Sequence, residues 1–132
     1  MTTQVTVERT DDGGYLAHNE RGAEIRFTGN GGPEFTPVEL LLAALGGCNI
    51  VTVEPLTAQR GHRLTRLAAT VEGEKERPAR LVSVTMTYHV ALPEGDDQAQ
   101  AVFEKVAERV HERYCTVSRA LRESVPVIVH TS

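Results

Sequence analysis

The stretch from Thr36 to Arg60, TPVELLLAALGGCNIVTVEPLTAQR, constrains what this chain can fold into more than any other. Thr36 fits a helix N-cap, Pro37 the first helical position and Glu39 the third. Thr-x-x-Glu is a capping box, in which each side chain satisfies an otherwise orphaned backbone amide. Phe35, just before the cap, is placed to staple onto Leu40. Leu40 to Leu45 is apolar on every side, which predicts a helix buried on every side. A chain of 132 residues offers few ways to surround a helix; wrapping two copies together is one. Gly46 and Gly47 each cost about 1 kcal/mol against alanine in a helix interior, so close approach of another backbone is expected there. Pro55 deletes the hydrogen bond to the Val51 carbonyl and predicts a kink, and Gly61 is the expected stop.

Grouped strands surround this helix. Thr3, Val5, Val7 and Arg9 alternate with Gln4, Thr6 and Glu8, the period of a strand. Asp11-Asp12-Gly13-Gly14 and Asn19–Gly22 are turn signals around a short strand from Tyr15 to His18. A third strand covers Ala23–Phe27. Further strands are expected over Leu64–Glu74 and Arg80–Leu92, joined by a charged connection. Val102, Phe103, Val106, Ala107 and Val110 make the apolar stripe of a second helix. A short helix capped by Thr116 or Ser118 runs through Arg122, and Val125–His130 reads as a closing strand. The order βββ-α-ββ-α-α-β predicts an α+β fold with mainly antiparallel sheets, within one domain covering residues 1–132.

Composition narrows the functional classes. The net charge of −4 argues against nucleic acid as a partner. The longest unbroken apolar run, Leu40–Leu45, is too short to span a bilayer, and MTTQVTVERT lacks the apolar core of a signal peptide. No membrane association and a cytoplasmic location are expected. In that compartment the two cysteines are read as reduced, catalytic or buried in preference to a structural disulfide.

Cys48 and Cys115 are therefore the first candidates for chemistry. Cys48, beside two glycines, is either a reactive thiol in a crevice that they open or an inert core cysteine. Cys115 follows His111 by one helical turn and precedes a helix start; both features lower a thiol pKa, and Arg113 and Arg119 add positive charge. The alternative is again an inert thiol, with His111 a solvated polar residue. Glu39 is either a catalytic carboxylate or only the capping residue. Arg9 is a charge on the apolar face of the first strand, either reaching solvent or waiting for an anion. The cysteines with His62 and His111 lack the usual ligand spacing of a zinc site, so no metal is expected, and no cofactor.

The segments FTPVELLLAALGGCNIVTV, GEKERPARLVSVTMTYHV and ERYCTVSRAL, in this order of elements, resemble the OsmC/Ohr family of osmotically inducible and organic hydroperoxide resistance proteins. The double glycine before Cys48 and the wording Tyr-Cys-Thr-Val are most similar to its YhfA-like subgroup. The resemblance implies an OsmC-like fold, with antiparallel sheets around a long central helix in an intertwined homodimer. It implies Cys48 as peroxidatic and Cys115 as resolving cysteine, reducing a small hydroperoxide and reset by an external dithiol. The family's glutamate stands ten residues before the first cysteine and pairs with an N-terminal arginine. Here that position is Val38, and Glu39 lies nine before, about 100° away around the helix. Arg9 is the nearest candidate arginine by face, ahead of Arg21 and Arg26. Two other functions remain open: a dimeric module binding an apolar small molecule, and a general dithiol-disulfide redox protein.

Overall fold

The computed structural model describes residues 1–131, and the chain forms two compact units, residues 1–41 and residues 42 onward. In the first, β1 (Val5–Arg9), β2 (Tyr15–Asn19) and β3 (Glu24–Phe27) form an antiparallel meander in the order β1-β2-β3. The register runs Val5 to Asn19 and Arg9 to Tyr15, then Tyr15 to Phe27. The Asp12 carboxylate closes the first turn by accepting from the Gly14 amide at 3.2 Å and from Arg26 at 2.8 Å. Gly13, at φ 84°, supplies the left-handed step of that turn. Val5 and Val7 stay exposed.

The long helix α1 spans Pro37–Gln59, 23 residues. Its capping box forms as expected: the Thr36 amide donates to Glu39 at 2.8 Å, and the Glu39 amide donates to the Thr36 hydroxyl at 3.2 Å. It continues through Pro55 and ends at Gly61, φ 85°. There the Gly61 amide donates to Ala58 and the His62 amide to Thr57, a Schellman ending. The helix is long and apolar enough to cross a membrane by those criteria alone, although its unbroken apolar run is short. It is not a bare apolar rod, however. Leu45, Asn49, Val53 and Thr57 form one buried stripe at i, i+4 spacing. The polar members of that stripe bond back to the preceding turn: Asn49 to the Leu45 carbonyl and Thr57 to the Val53 carbonyl, both at 2.8 Å.

In the second unit, β4 (Arg66–Glu76) and β5 (Arg80–Ala91) form an antiparallel hairpin, with a register shift between Glu74 and Lys75. Helix α2 (Ala99–Arg109) runs into a π-helical turn at Val110–Tyr114, and α3 covers Thr116–Arg122. The expected stripe of α2 does its work: Phe103, Val106 and Val110 are buried with Val53 of α1 and Cys115, flanked by Leu67, Tyr88 and Val90 of the hairpin. Tyr88 meets Phe103 edge to face, with ring centroids 5.2 Å apart.

Three expectations are corrected. Residues 40–45 are not buried all round: Leu45 is buried, while Leu41 is 38% exposed and Ala43 and Ala44 are open. Leu40 and Leu42 are part-covered within the chain, and the other side of this turn stays on its surface. Of the two glycines only Gly46 answers a close approach, since a Cβ there would lie 3.0 Å from Val71 of β4; one at Gly47 would meet nothing. The closing strand over 125–130 does not form among the described residues. Val127, Ile128 and Val129 are 83%, 76% and 82% exposed, because a strand exists only against a neighbour that takes its backbone hydrogen bonds.

Candidate functional site

The second unit brings Cys48 and Cys115 into contact. Cys48 sits mid-way along α1, half-buried, on the edge of the apolar cluster in which Cys115 is completely buried. Both thiols are free, and each bears on the acidity of the other.

Cys115 lies where the π-helical turn gives way to α3. Its φ of −88° and ψ of 108° make it the N-cap of that helix, and its sulfur accepts from the Ser118 amide at 3.3 Å. The cap is thus the cysteine itself, not Thr116 or Ser118. Ser118 occupies the third helical position, where an N-cap side chain finds its partner amide. The Cys115 amide donates back to the Val110 carbonyl at 2.8 Å. That bond closes the π-helical turn and points the sulfur inward.

The two thiols are pushed apart in acidity. Burial raises the Cys48 thiol, and hydrogen bonding to Cys115 raises it further; the Val117 and Thr116 amides oppose without winning. Burial also raises Cys115. There it is outweighed by hydrogen bonds from Cys48, the Ser118 side chain, and the Ser118 and Val117 amides, so this thiol ends below its ordinary value. Of the two, Cys48 holds its proton more firmly and Cys115 gives its proton up more readily. The Tyr88 hydroxyl is also buried, lacks a hydrogen-bond partner, and is pushed up to about 12 by burial and then by the neighbouring Cys115 charge.

Behind Cys115 lies a polar cluster in which sequence reasoning picks out His111 but neither Asn49 nor Ser118 as its partners. Ser118, 1% exposed, accepts at Oγ from the Asn49 amide at 3.0 Å, and His111 Nδ1 lies 3.1 Å from the same oxygen. The Asn49 Oδ1 atom is buried without a partner. The signals for Asn49 and Ser118 are small ones: an asparagine inside an apolar helix, and a serine that the sequence offers only as a possible cap.

The other candidates fall elsewhere. Glu39 is engaged in the capping box. Arg9 ends β1 opposite Tyr15, exposed, with no carboxylate within salt-bridge distance among the described residues. Arg26 is taken by Asp12 at 2.8 Å and Glu34 at 3.4 Å. Arg21 is exposed at a turn. His62 pairs through Nδ1 with Asp96 at 2.5 Å, and this bond holds the Asp96 carboxyl below the usual carboxylate range. Among the described residues no cluster of three histidine, cysteine or acidic side chains could hold a metal. A cleft of about 390 Å³ lies along α1 and α2, lined by Val51, Thr52, Pro55, Leu56, Val106 and Tyr114 together with Gln59, Arg60 and Arg109. Neither cysteine lines it, but the Thr52 hydroxyl in its wall donates to the Cys48 carbonyl at 2.8 Å.

Known proteins resemble the chain in sequence and in fold. The chain is 26% identical over 117 residues to Protein YhfA of Escherichia coli, covering 86% of this chain and 84% of that one. Its fold superposes on an OsmC like protein from Mycoplasma pneumoniae with a TM-score of 0.75 at 15% identity, covering 94% and 89% of the two chains. It also superposes on an organic hydroperoxide resistance protein from Legionella pneumophila with a TM-score of 0.63 at 20% identity, covering 92% and 90%. The fold is thus OsmC-like: α+β, with antiparallel sheets and a long helix carrying the first cysteine. The family described as OsmC-like protein matches residues 29–130, and the chain belongs to that family.

Proposed function

We propose that the protein is a two-cysteine thiol peroxidase, with Cys48 attacking a small organic hydroperoxide and Cys115 resolving. The observation that carries this reading is the pairing itself: a half-buried thiol from α1 packed against the apolar cluster that holds a fully buried thiol capping α3. A core that wanted only volume would have no use for a sulfur that caps a helix. Likeness in fold to an organic hydroperoxide resistance protein supports the choice of oxidant.

The pair also suggests how Cys48 is activated where Val38 replaces the family's carboxylate. The Cys115 thiolate takes the Cys48 proton as the Cys48 sulfur attacks the outer peroxide oxygen. The O–O bond breaks, Cys48 becomes a sulfenic acid, and the departing alkoxide takes a proton from Cys115. The Cys115 thiolate then attacks the Cys48 sulfur. The S–O bond breaks, hydroxide leaves, and a 48–115 disulfide remains. One hydroperoxide is reduced to an alcohol and water once that hydroxide is protonated. An external dithiol resets the disulfide, a role available in the reducing cytoplasm. No charge from Arg9 or Glu39 is needed in this scheme.

The protein works as a homodimer in this proposal, because the apolar surfaces of α1, β1 and residues 125–129 have no cover within one chain. Cumene hydroperoxide should drive dithiol consumption by the wild type and form a 48–115 disulfide detectable by peptide mass mapping. Equal consumption by Cys48→Ser would sink the proposal. A second reading, a dimeric binding module, is favoured by the apolar cleft that neither cysteine lines. A retained ligand in native mass spectrometry, without peroxide turnover, would favour it. A general dithiol-disulfide redox protein would instead exchange with protein disulfides at rates that peroxide does not change.

A further inference from the structure

We propose that the buried Asn49–Ser118 hydrogen bond is a clasp that sets α1 in register against α3 and so fixes how Cys48 and Cys115 meet. The clasp rests on the two-cysteine reading above. Asn49 is fully buried and Ser118 is 1% exposed. The Asn49 amide nitrogen donates to the Leu45 carbonyl at 2.8 Å and to Ser118 Oγ at 3.0 Å. Turned the other way, the amide would set its oxygen against the Leu45 carbonyl, so the donor side faces Ser118. Asn49 follows Cys48 in the chain, and the Ser118 amide donates to the Cys115 sulfur at 3.3 Å. The bond therefore links the residue next to one thiol with the residue that holds the other.

Among the described residues no other hydrogen bond joins α1 to α3. The buried side chains clustered with Cys115 are apolar: Val53, Phe103, Val106 and Val110. Apolar contact is non-directional, so it holds helices together without choosing a register. A hydrogen bond weakens steeply away from its preferred distance and angle, and so chooses one. Both ends of this bond are themselves held. The Leu45 carbonyl takes the second Asn49 hydrogen from the preceding turn, and His111 Nδ1 lies 3.1 Å from the serine oxygen. The bond also comes at a cost to stability. Asn49 Oδ1 is buried without a partner, a loss of solvation that an apolar residue would avoid. The best-attested use of a buried asparagine kept at such a cost in an apolar seam is to fix register.

What the register decides is the ease of closing the 48–115 disulfide. A disulfide accepts only a narrow range of Cα separation and dihedral angle, so the two sulfurs must be presented to each other in one arrangement. With the clasp closed, the pair is held ready. With the clasp open, α1 and α3 also sample registers in which the bond cannot close. Exchange with an oxidised dithiol reads this directly and needs no peroxide. The Cys48–Cys115 S–S bond forms and the S–S bond of the reagent breaks. Two electrons pass to the reagent, whose sulfurs leave with the two protons. Asn49 and Ser118 act by placing the thiols and are positioning residues.

The test is the equilibrium between reduced and 48–115-linked protein in mixtures of oxidised and reduced dithiothreitol, read by mass after alkylation. Asn49→Ala and Ser118→Ala each remove the clasp, and Ser118→Ala leaves the backbone amide on the Cys115 sulfur. Each should lower the equilibrium constant for the disulfide about tenfold, or about 30 mV for this two-electron couple. The double variant should lower it no further than either single one, because the same bond is lost in all three. Ser118→Thr, which keeps the hydroxyl, should restore the wild-type value. A hydrogen bond that only stabilised the fold would shift the urea midpoints of the reduced and linked forms alike and leave this constant unmoved. Single-variant constants within about twofold of the wild type, or losses that add in the double variant, overturn the clasp. Asn49→Ala carries the test if Ser118→Ala fails to fold. A wild type that forms no 48–115 disulfide overturns clasp and peroxidase together, but otherwise they fail separately. A disulfide that responds to the variants without peroxide turnover counts against the peroxidase. Peroxide turnover with a disulfide indifferent to the variants counts against the clasp.

Discussion

Tyr88 shows what a single buried polar atom implies. Its ring completes the cluster around Phe103, but its hydroxyl is buried without a partner beside Cys115. A hydroxyl so placed has lost water and gained nothing, a cost of about 1–3 kcal/mol. Tyr88→Phe removes the cost and keeps the ring, so the variant should be as stable as the wild type or more so in urea titration. The raised value also fixes a pH dependence. The folded state holds the tyrosine proton to about 12, above the ordinary 10. The associated stability is complete below pH 10 and is lost as pH rises toward 12. Tyr88→Phe should flatten that alkaline limb relative to the wild type; identical limbs would mean that the hydroxyl is not confined as described. At this scale the sequence was legible where chemistry is local. Thr36 and Glu39 announce a capping box by spacing alone, and it forms. The Cys115 cap was not legible, because sulfur is not among the usual capping atoms. The Asn49–Ser118 bond was not legible either, since 69 residues of chain separate its ends.

Elements were legible to the extent that one chain suffices to make them. β1 to β3, α1, the β4–β5 hairpin and α2 follow from periodicity and turn chemistry, with ends displaced by a residue or two. The π-helical turn between α2 and α3 was not, because it is set by the Cys115 amide reaching back to Val110 and not by any composition signal. The glycine pair of α1 now divides into two cases. Gly46 faces β4, where a methyl would sit 3.0 Å from a Val71 methyl, and valine is too stiff at χ1 to swing aside. Gly47 has open space within the chain. Alanine at 47 should therefore stabilise the protomer by about 1 kcal/mol through helix propensity, while alanine at 46 should gain less or lose. Urea unfolding, at protein concentrations low enough to dissociate the proposed pair, should rank Gly47→Ala above wild type and above Gly46→Ala. Equal effects would mean that α1 and β4 are not in close contact at Gly46.

At the scale of the molecule, what one chain leaves uncovered becomes the argument. Val51 is 70% exposed on α1, Val5 and Val7 are 59% and 58% exposed on β1, and Val127 to Val129 lie open in a segment with strand chemistry but no neighbour. Scattered apolar residues on a surface need no explanation; a helix face, a strand face and a tail together do. A second copy of this chain supplies matching surfaces of the same kind, and two-fold pairing is the commonest way such patches are covered. It would also complete what the sequence demands of residues 40–45, apolar on all sides yet half covered here. Sedimentation equilibrium should then give twice the mass of one chain. Replacing Val127 and Val129 together by aspartate should weaken or abolish the dimer, since each charge would have to leave water on association. Peroxide turnover by the dissociated variant would show that the Cys48–Cys115 pair needs only its own protomer, as their place in one apolar cluster implies. A wild type that stays monomeric at all accessible concentrations would refute the pairing, and would leave the exposed tail without a purpose in the fold.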